Sequence, residues 1–303
     1  MLPLNRLERQ PTIQAALQQA APGLVEACPL STGHEAEAIE FLSARPLHNV
    51  YMAGFIRENG MVSPLNRGTF YGCRDRGGRL EGVALIGHVT QMDVRTERAM
   101  KAFAHATQAC PSVHVLMGGR ATVRDFWRHY SPGGQELRVA CRELLLEQKS
   151  PVETGRGARG LRLAVADDLP LILRVQAAMA VAECGVNPLA VDPEGFRARC
   201  ARRIERNRIW VLVDGGTLIF KADIMAETPE SIYIEGVYVN RRHRRLGHGR
   251  LCLQTLGQIL LSRSDSVCLL VTSAMWRPNP SITAWVIICE VFTIPSTCTR
   301  KLN

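Results

Sequence analysis

The sequence predicts an α/β protein with mixed sheets, built as two tandem units. Segments with strand and helix patterns alternate along the 303 residues, and the order of these elements is similar in both halves. Between the halves, residues 147–160 (EQKSPVETGRGARG) combine Pro, Gly, Ser and charge without apolar periodicity, which is typical of a linker. An apolar share of 46% and a charged share of 21% are ordinary for a globular protein. We therefore expect one domain over residues 1–150 and another over 158–303.

The first half alternates helices and strands. Apolar residues at helical spacing predict helices over four segments, residues 34–45, 47–58, 96–109 and 122–130. Runs rich in β-branched and aromatic residues predict strands over another four, residues 69–75, 79–89, 113–117 and 137–147.

The second half repeats this mixed order. The same criteria predict helices over residues 169–180, 193–207 and 249–262. They predict strands over residues 161–168, 208–214, 216–227, 231–240 and 267–273. Gly215 and Gly216 stand between two of these strands and predict a tight hairpin turn.

The charge of the chain favours an anionic partner. Lys and Arg number 37 against 28 Asp and Glu, which gives a net charge of +9 and a pI near 9.3. Nucleic acid, an acidic lipid and a phosphorylated cofactor all fit this balance. The ten cysteines form no C-x-x-C pair and no Cys/His cluster at zinc spacing, so we expect reduced, mostly buried thiols and no metal.

The same sequence gives no sign of secretion or of membrane insertion. Charged residues interrupt the N-terminal stretch early, so it does not fit a secretory signal. The most apolar late stretch, ITAWVIICEVFTI, has 13 residues and is too short for a membrane-spanning helix. We therefore expect a cytoplasmic protein without membrane contact.

One loop in the second half has the composition of a phosphate-binding site. A predicted strand ends near Asn240, a predicted helix begins near Gly249, and Arg244-x-x-Gly247-x-Gly249 lies between them. Glycines let backbone N–H groups point inward, and the positive end of the helix dipole attracts anions. A P-loop would need G-K-S/T, and a dinucleotide fingerprint would need a glycine at Cys252. A pyrophosphate site is favoured, and a basic turn on a solvated surface is the alternative.

This segment resembles the acetyl-CoA motif of the GNAT superfamily of N-acetyltransferases, R/Q-x-x-G-x-G/A after an apolar strand and at the start of a helix. The run from about residue 160 to 273 also follows the layout of that family. The resemblance implies two tandem GNAT-like domains, acetyl-CoA as cosubstrate, and a small-molecule or peptide primary amine as acetyl acceptor. It further implies that the strand end pairs with pantetheine and that the loop amides hold the pyrophosphate. The implied CoA-binding residues are Val237, Tyr238, Val239, Arg244, Arg245, Leu246, Gly247, His248, Gly249 and Arg250.

Acetyl transfer to an amine needs a base, an oxyanion donor and an acid. Strand alternation places Glu235 on the same face as Tyr233, Val237 and Val239, so Glu235 is the candidate base. The backbone N–H of Val239 is the candidate oxyanion donor. A solvent-facing Glu235, or one paired with a nearby arginine, is the alternative.

A second basic cluster precedes the predicted hairpin. Nucleic-acid binding would require interleaved aromatic residues, and Phe196 and Trp210 are the ones nearby, so we disfavour it. We expect a largely solvated helix face, with attraction of an acidic substrate or of the CoA phosphate as the alternative. The cluster consists of Arg197, Arg199, Arg202, Arg203, Arg206 and Arg208.

The tail after about residue 272 departs from the family pattern, in which a helix carries A-x-x-L-Y-x-x-x-G-F and its Tyr is the usual general acid. Here no tyrosine follows Tyr238 and no glycine follows Gly257. A one-nucleotide shift of the back-translated AWVIICEVF permits L-G-Y-N-L-R-G-F, so our hypothesis is a frameshift. It predicts a missing last helix and strand and an uncovered sheet edge. A non-catalytic CoA-binding or interaction protein is then the alternative function.

The N-terminal half has no counterpart of the arginine-glycine loop. Gly118 and Gly119 follow a predicted strand, but in the wrong element and at the wrong spacing. We therefore expect a degenerate acetyltransferase-like domain that serves in packing or substrate enclosure.

Overall fold

The structure is a computed structural model that describes residues 26–152, 157–272 and 285–293, the last range by its backbone. The predictions for the N-terminal stretch, for the centre of the linker and for the remaining tail lie outside these residues. Within them, no helix is both long and apolar enough to cross a bilayer. Four of the seven cysteines whose side chains the structure describes, Cys73, Cys200, Cys252 and Cys268, are buried, while Cys110 and Cys141 are half-buried and Cys28 is exposed.

Eight α-helices occur in the described residues. They are α1 (Glu35–Ser43), α2 (Pro46–Asn59), α3 (Glu97–Gln108), α4 (Arg120–Tyr130), α5 (Leu169–Cys184), α6 (Pro188–Val191), α7 (Pro193–Glu205) and α8 (His248–Leu261). Twelve strands accompany them. The first six are β1 (Cys28–Pro29), β2 (Gly68–Arg74), β3 (Leu80–Gly87), β4 (Val89–Val94), β5 (Val115–Gly119) and β6 (Val139–Gln148). The other six are β7 (Arg162–Leu163), β8 (Ile209–Asp214), β9 (Thr217–Glu227), β10 (Ile232–Val239), β11 (Val267–Thr272) and β12 (Trp285–Thr293).

The strands form one continuous mixed sheet in the order β1-β2-β3-β4-β5-β12-β6-β11-β10-β9-β8-β7. Two neighbouring pairs are parallel, β4 with β5 and β10 with β11. Parallel neighbours need a crossover connection, and a helix supplies it in each case, α3 in the first pair and α8 in the second. The predicted α/β class with mixed strands is confirmed.

The two halves exchange strands at the middle of the sheet. Strand β6, which precedes the linker, pairs with β11 and β12, and β12 also pairs with β5. The expected uncovered edge is therefore wrong for residues 285–293, because Cys289 aligns with Gly119 on one side and Glu143 on the other. The segment WVIICEVFT is rich in β-branched and apolar residues, which suits a strand with two neighbours.

Glycines form the turns between β3 and β4 and between β8 and β9. The predicted strand over residues 79–89 merges the end of β3 with the start of β4. The chain turns at Gly87, where a Cβ would lie 2.2 Å from the carbonyl oxygen of Arg67, so that only glycine fits. The predicted hairpin is confirmed, because Gly215 and Gly216 both have positive φ (+51° and +73°) between antiparallel β8 and β9.

Helix α2 of the N-terminal half packs against strands of the C-terminal half. Its Gly54 approaches β9 so closely that a Cβ would lie 2.7 Å from the Cβ of Ala226. Residues of α2, β9, β10 and β11 share one apolar cluster, which includes Phe55, Tyr233 and Cys268. Helices α5 and α7 pack on β8 and β9 in a second cluster, and α8 packs on the opposite face of the sheet in a third. The N-terminal α2 therefore lies beside the C-terminal α7.

Candidate active site

Strands β10 and β11 separate partway along their length. They pair in parallel at Ile232, Tyr233 and Ile234, and the last of these aligns with Leu269. Beyond this point β10 runs on to Val239 without pairing to β11, while β11, which pairs with β6 along its whole length, runs on to Thr272. The strands thus open a V-shaped gap whose β10 side exposes unpaired backbone positions.

A bulge in β10 lies at the start of this gap. Glu235 aligns with Asp223 of β9 and Tyr238 aligns with Lys221, so β10 has one extra residue between the two pairs. Gly236 has φ +59°, and a Cβ there would lie 2.9 Å from Asp223 Oδ2. The bulge therefore depends on glycine for its backbone conformation and for space.

The bulge overturns one prediction from strand alternation. Val237 and Val239 pack in the α8 cluster. Tyr233 lies in the cluster on the other face, and Glu235 lies on the α7 side, where it meets Arg203. The prediction that Glu235 shares a face with Val237 and Val239 is wrong, because an extra residue inverts the alternation after it.

The backbone of Val239 points toward the gap. The N–H of Asn240 donates to the carbonyl of Ile219 over 2.8 Å. Because hydrogen-bonded and non-bonded pairs alternate in antiparallel strands, Val239 and Phe220 form a non-bonded pair. The Val239 N–H is therefore directed away from β9, and its carbonyl accepts from Arg244 Nε over 3.1 Å.

The loop after β10 leaves the N-terminus of α8 open. Gly247 is the N-cap residue at φ +84°, and no side chain caps the helix. The first intrahelical bond runs from the Leu251 N–H to the Gly247 carbonyl over 3.0 Å. The N–H groups of His248, Gly249 and Arg250 therefore precede the helical ladder, where the helix dipole favours an anion.

The two loop glycines have different roles. A Cβ at Gly247 would meet nothing within 4 Å, so its need for glycine comes from its positive φ. A Cβ at Gly249 would lie 2.9 Å from Val239 Cγ2, so its need comes from the close approach of α8 to β10. Together they keep the loop open and bring the ten sequence-predicted CoA-binding residues to one end of the V-shaped gap.

Glu235 belongs to a charged network that runs into the core. Its carboxylate lies 3.6 Å from Arg203 Nη1, which lies 3.5 Å from the buried Asp223. Asp223 in turn pairs with the fully buried Lys221 over 2.8 Å, and Lys221 Nζ donates to the Gly236 carbonyl. Each of these buried charges has an opposite charge nearby, as burial requires.

Burial raises the pKa of Glu235, Asp223 raises it further, and Arg203 opposes the increase. About a third of the Glu235 side chain remains exposed. A carboxylate with a raised pKa that still contacts solvent is a stronger base than an ordinary glutamate and can be reached by a substrate.

The exposed side of Glu235 faces a cleft of about 500 Å³ between the two halves. Helix α2 and the loop before β2 form one wall, and α7, β9 and β10 form the other. Six arginines line the cleft, namely Arg67, Arg199, Arg202, Arg203, Arg206 and Arg208. Three carboxylates line it as well, those of Glu58, Asp223 and Glu235.

The prediction of a solvated arginine face is wrong in part. Arg208 is only 18% exposed and pairs with Glu58 of α2, and Arg206 pairs with the same carboxylate. This contact was not predicted, because it joins two halves that the sequence assigns to separate roles. The sequence analysis therefore gave these arginines no partner in α2. It also missed the buried Lys221 and Asp223, although two charges two residues apart in the apolar run of β9 were a usable signal.

Several solved structures have a similar fold, and two of them are described as GNAT proteins. A GNAT-family acetyltransferase from Colwellia psychrerythraea matches with a TM-score of 0.55 at 11% identity, over 89% of this chain and 99% of its own. A tandem GNAT protein from the clavulanic acid biosynthesis pathway matches with a TM-score of 0.53 at 15% identity, over 88% and 98%. A Drosophila protein matches with a TM-score of 0.60 at 11% identity, over 90% and 100%.

No protein-family model and no curated protein sequence matches the chain. The likeness is therefore one of fold. The chain has the fold of tandem GNAT acetyltransferases, as the sequence analysis predicted.

Proposed function

We propose that the protein is an acyl-CoA-dependent N-acetyltransferase that transfers an acetyl group to a primary amine. The observation that carries the proposal is the combination of the V-shaped gap with an uncapped helix N-terminus at one end and Glu235 at the other. The two ends are separated by the β10 segment from Glu235 to Val239, roughly 13 Å at the usual rise per residue. An extended ligand with an anionic head and a reactive end fits this geometry.

The residues around the gap suit coenzyme A. The helix N-terminus has no acidic residue in its first turn, and Arg244, Arg245 and Arg250 surround it. Amides at a helix start bind phosphate groups well, so the loop would hold the pyrophosphate. The strand end at Val237 to Val239 would pair with the amide groups of pantetheine. Bound acetyl-CoA would supply a thioester as acetyl donor.

The remaining steps fall to two groups of the chain. The Glu235 carboxylate accepts a proton from the ammonium of the acceptor, which frees the nitrogen lone pair for attack on the thioester carbonyl. The sequence analysis gave the oxyanion to the Val239 N–H, but that group lies roughly 13 Å along β10 from Glu235, so we assign it to the pantetheine amides. The donor to the carbonyl oxygen, as it becomes negative, would be a β10 backbone N–H nearer to Glu235 that faces the gap. Collapse of the intermediate breaks the carbon–sulfur bond, forms the amide and releases CoA as a thiolate. The nitrogen loses its second proton in this step, which balances the proton that the thiolate takes up through solvent, and Glu235 returns its own proton to solvent.

A non-catalytic CoA-binding protein is the second candidate. The observation that favours it is the lack of any tyrosine after Tyr238, which leaves the usual general acid of the resembled family without a counterpart in the tail.

A thiol-release assay with acetyl-CoA and a panel of primary amines tests the proposal, with acetyl-CoA binding measured in parallel by calorimetry. We expect both binding and amine-dependent thiol release. Binding without release would favour the second candidate, and the absence of binding would contradict both. Sequencing the coding DNA across the 3′ end tests the frameshift hypothesis. An intact upstream reading frame with no open extension in the shifted frame would refute it.

A further inference from the structure

The cleft beside Glu235 carries more positive than negative charge, and its carboxylates are already engaged. Glu58 pairs with Arg206 over 2.9 Å and with Arg208 over 3.1 Å. Arg203 lies within 3.6 Å of both Asp223 and Glu235. These pairs account for all three carboxylates that line the cleft.

Three arginines of the cleft remain for a ligand. Within the described part of the chain, Arg67 and Arg202 have no carboxylate within ion-pair distance. Arg199 pairs with Asp192 over 3.0 Å, but both side chains are about half exposed, and such pairs exchange readily for a better partner. The positive charge of these three side chains is therefore available to a ligand in the cleft.

Arg67 and Arg199 come from different halves of the chain, and their positive charges repel each other across the cleft. Arg67 follows the short helical turn before β2, and Arg199 lies on α7. Partial desolvation lowers the pKa of Arg67, and the charge of Arg199 lowers it further, while Tyr51 and Glu235 oppose the change. Two like charges with Glu235 close by make a site that an anion would stabilise.

This site is distinct from the CoA loop. The loop amides begin after Val239, roughly 13 Å along β10 from Glu235. An anion in the cleft would therefore lie on the acceptor side of the candidate base, away from the pyrophosphate.

We propose that the acetyl acceptor is an amine that also carries an anionic oxygen group, a carboxylate or a phosphate, and that Arg67 and Arg199 bind this group while the amine reaches Glu235. The inference rests on the proposed acetyl transfer and deepens it. Guanidinium groups match both anions because their donors form a planar fork. The N-terminal half thus contributes directly to acceptor recognition.

Matched pairs of acceptors test the inference. Amino acids are compared with their amides, and aminoalkyl phosphates with the matching amino alcohols, by the kcat/KM of thiol release. We expect the anionic member of at least one pair to be preferred by about tenfold or more, as for one good charge-assisted contact. The two kinds of pair separate a carboxylate acceptor from a phosphate acceptor.

Arg67→Gln identifies the residue responsible. We expect this variant to lower kcat/KM for the anionic member about tenfold, mainly through KM, and to leave the neutral member unchanged. Arg199→Gln should act in the same direction. Arg79→Gln is the matched control, because Arg79 lies in the same half on an exposed turn with its side chain 88% exposed. Equal use of both members, or an equal loss for both in Arg67→Gln, overturns the inference.

The failure of the proposed function has a different signature. If acetyl-CoA binds but no amine is acetylated, the transfer proposal fails. Calorimetric titration of the same acceptor pairs into wild type and Arg67→Gln then decides the inference. Tighter binding of the anionic members that is lost in Arg67→Gln supports the anion site, and equal binding of both members contradicts it.

Discussion

The two halves contain the same strand–helix–strand unit, and they differ at the point where the helix begins. In the N-terminal half, two residues connect β4 to α3, and the side chain of Thr96 accepts a hydrogen bond from the Ala99 N–H. Glu97 adds a negative charge to that first turn. In the C-terminal half, eight residues connect β10 to α8, and Gly247 stands where a capping side chain would be. The same topology thus produces one closed and one open helix N-terminus.

The carboxylates on the corresponding strands differ in the same way. Asp93 on β4 is fully buried, and Arg45 and Asn49 from α2 and its N-cap both contact it. Glu235 on β10 contacts Arg203 but remains a third exposed beside the cleft. The comparison indicates that a loop, a bulge and an exposed carboxylate, and not the fold itself, distinguish the half with the proposed acetyl-CoA site from the other half.

The largest expected effect is on catalysis. Glu235→Gln keeps the shape of the side chain but cannot accept a proton at neutral pH. We expect kcat to fall about 100-fold or more, in the range typical for loss of a general base, with the acetyl-CoA Kd unchanged. Steady-state thiol release and calorimetry measure the two quantities. If the variant retained wild-type kcat, Glu235 would not be the base, and its role would be limited to the ion pair with Arg203.

The matched change in the other half should affect stability. Asp93→Asn removes the buried negative charge that pairs with Arg45. It also leaves part of the hydrogen bonding around position 93 unsatisfied. We expect the free energy of unfolding to fall by about 2 kcal/mol, with acetyl-CoA affinity unchanged in the folded protein. Denaturant unfolding provides the measurement. A loss of CoA affinity without a loss of stability would show that the N-terminal half carries a binding role of its own.

Much of this comparison was accessible from the sequence. The arginine-glycine loop predicted the open helix start, since glycine at positive φ and at a close helix–strand contact is a local requirement that residue type reveals. The glycine pair at the β8–β9 turn predicted the hairpin for the same reason. These features depend on neighbours in the chain.

The remainder depended on contacts between distant segments. The position of Glu235 relative to Val237 and Val239 changed because Gly236 forms a bulge against β9, which strand alternation cannot anticipate. Arg67 gained its place in the cleft through the packing of α2 on the other half. Strand β12 was not predicted, because the late apolar segment was tested only as a membrane helix, for which it is too short, and not as a strand that pairs with β5 and β6.

A smaller effect separates the two helix starts. Thr96→Ala removes the side-chain cap of α3, and we expect a loss of about 1 kcal/mol in the free energy of unfolding. Acetyl-CoA affinity should not change, because this helix start lies outside the proposed site. Thermal unfolding with and without acetyl-CoA checks both statements. The Thr96→Ser variant, which retains a capping hydroxyl, should behave like wild type.

The smallest effect is on pH dependence. Because the pKa of Glu235 is raised, activity should decline tenfold per pH unit below a value higher than that of an ordinary glutamate. The folded state holds this proton more tightly than the unfolded state, so the stabilising contribution is present at acidic pH and is lost as pH rises through the raised pKa. Glu235→Gln should therefore gain stability relative to wild type across that window. The measurements are the pH profile of kcat/KM and the free energy of unfolding as a function of pH, for wild type and Glu235→Gln. Identical pH dependence of both quantities in the two proteins would contradict this prediction.

Calorimetric titration of acetyl-CoA into wild type, Gly247→Asp and Gly249→Val tests the central claim most directly. We expect a single site per chain in wild type and at least a tenfold higher Kd in both variants, since one adds negative charge to the helix start and the other forces α8 away from β10. Thr96→Ala should bind like wild type in the same experiment. Unchanged binding in both glycine variants, or no binding in well-folded wild type, would contradict the account.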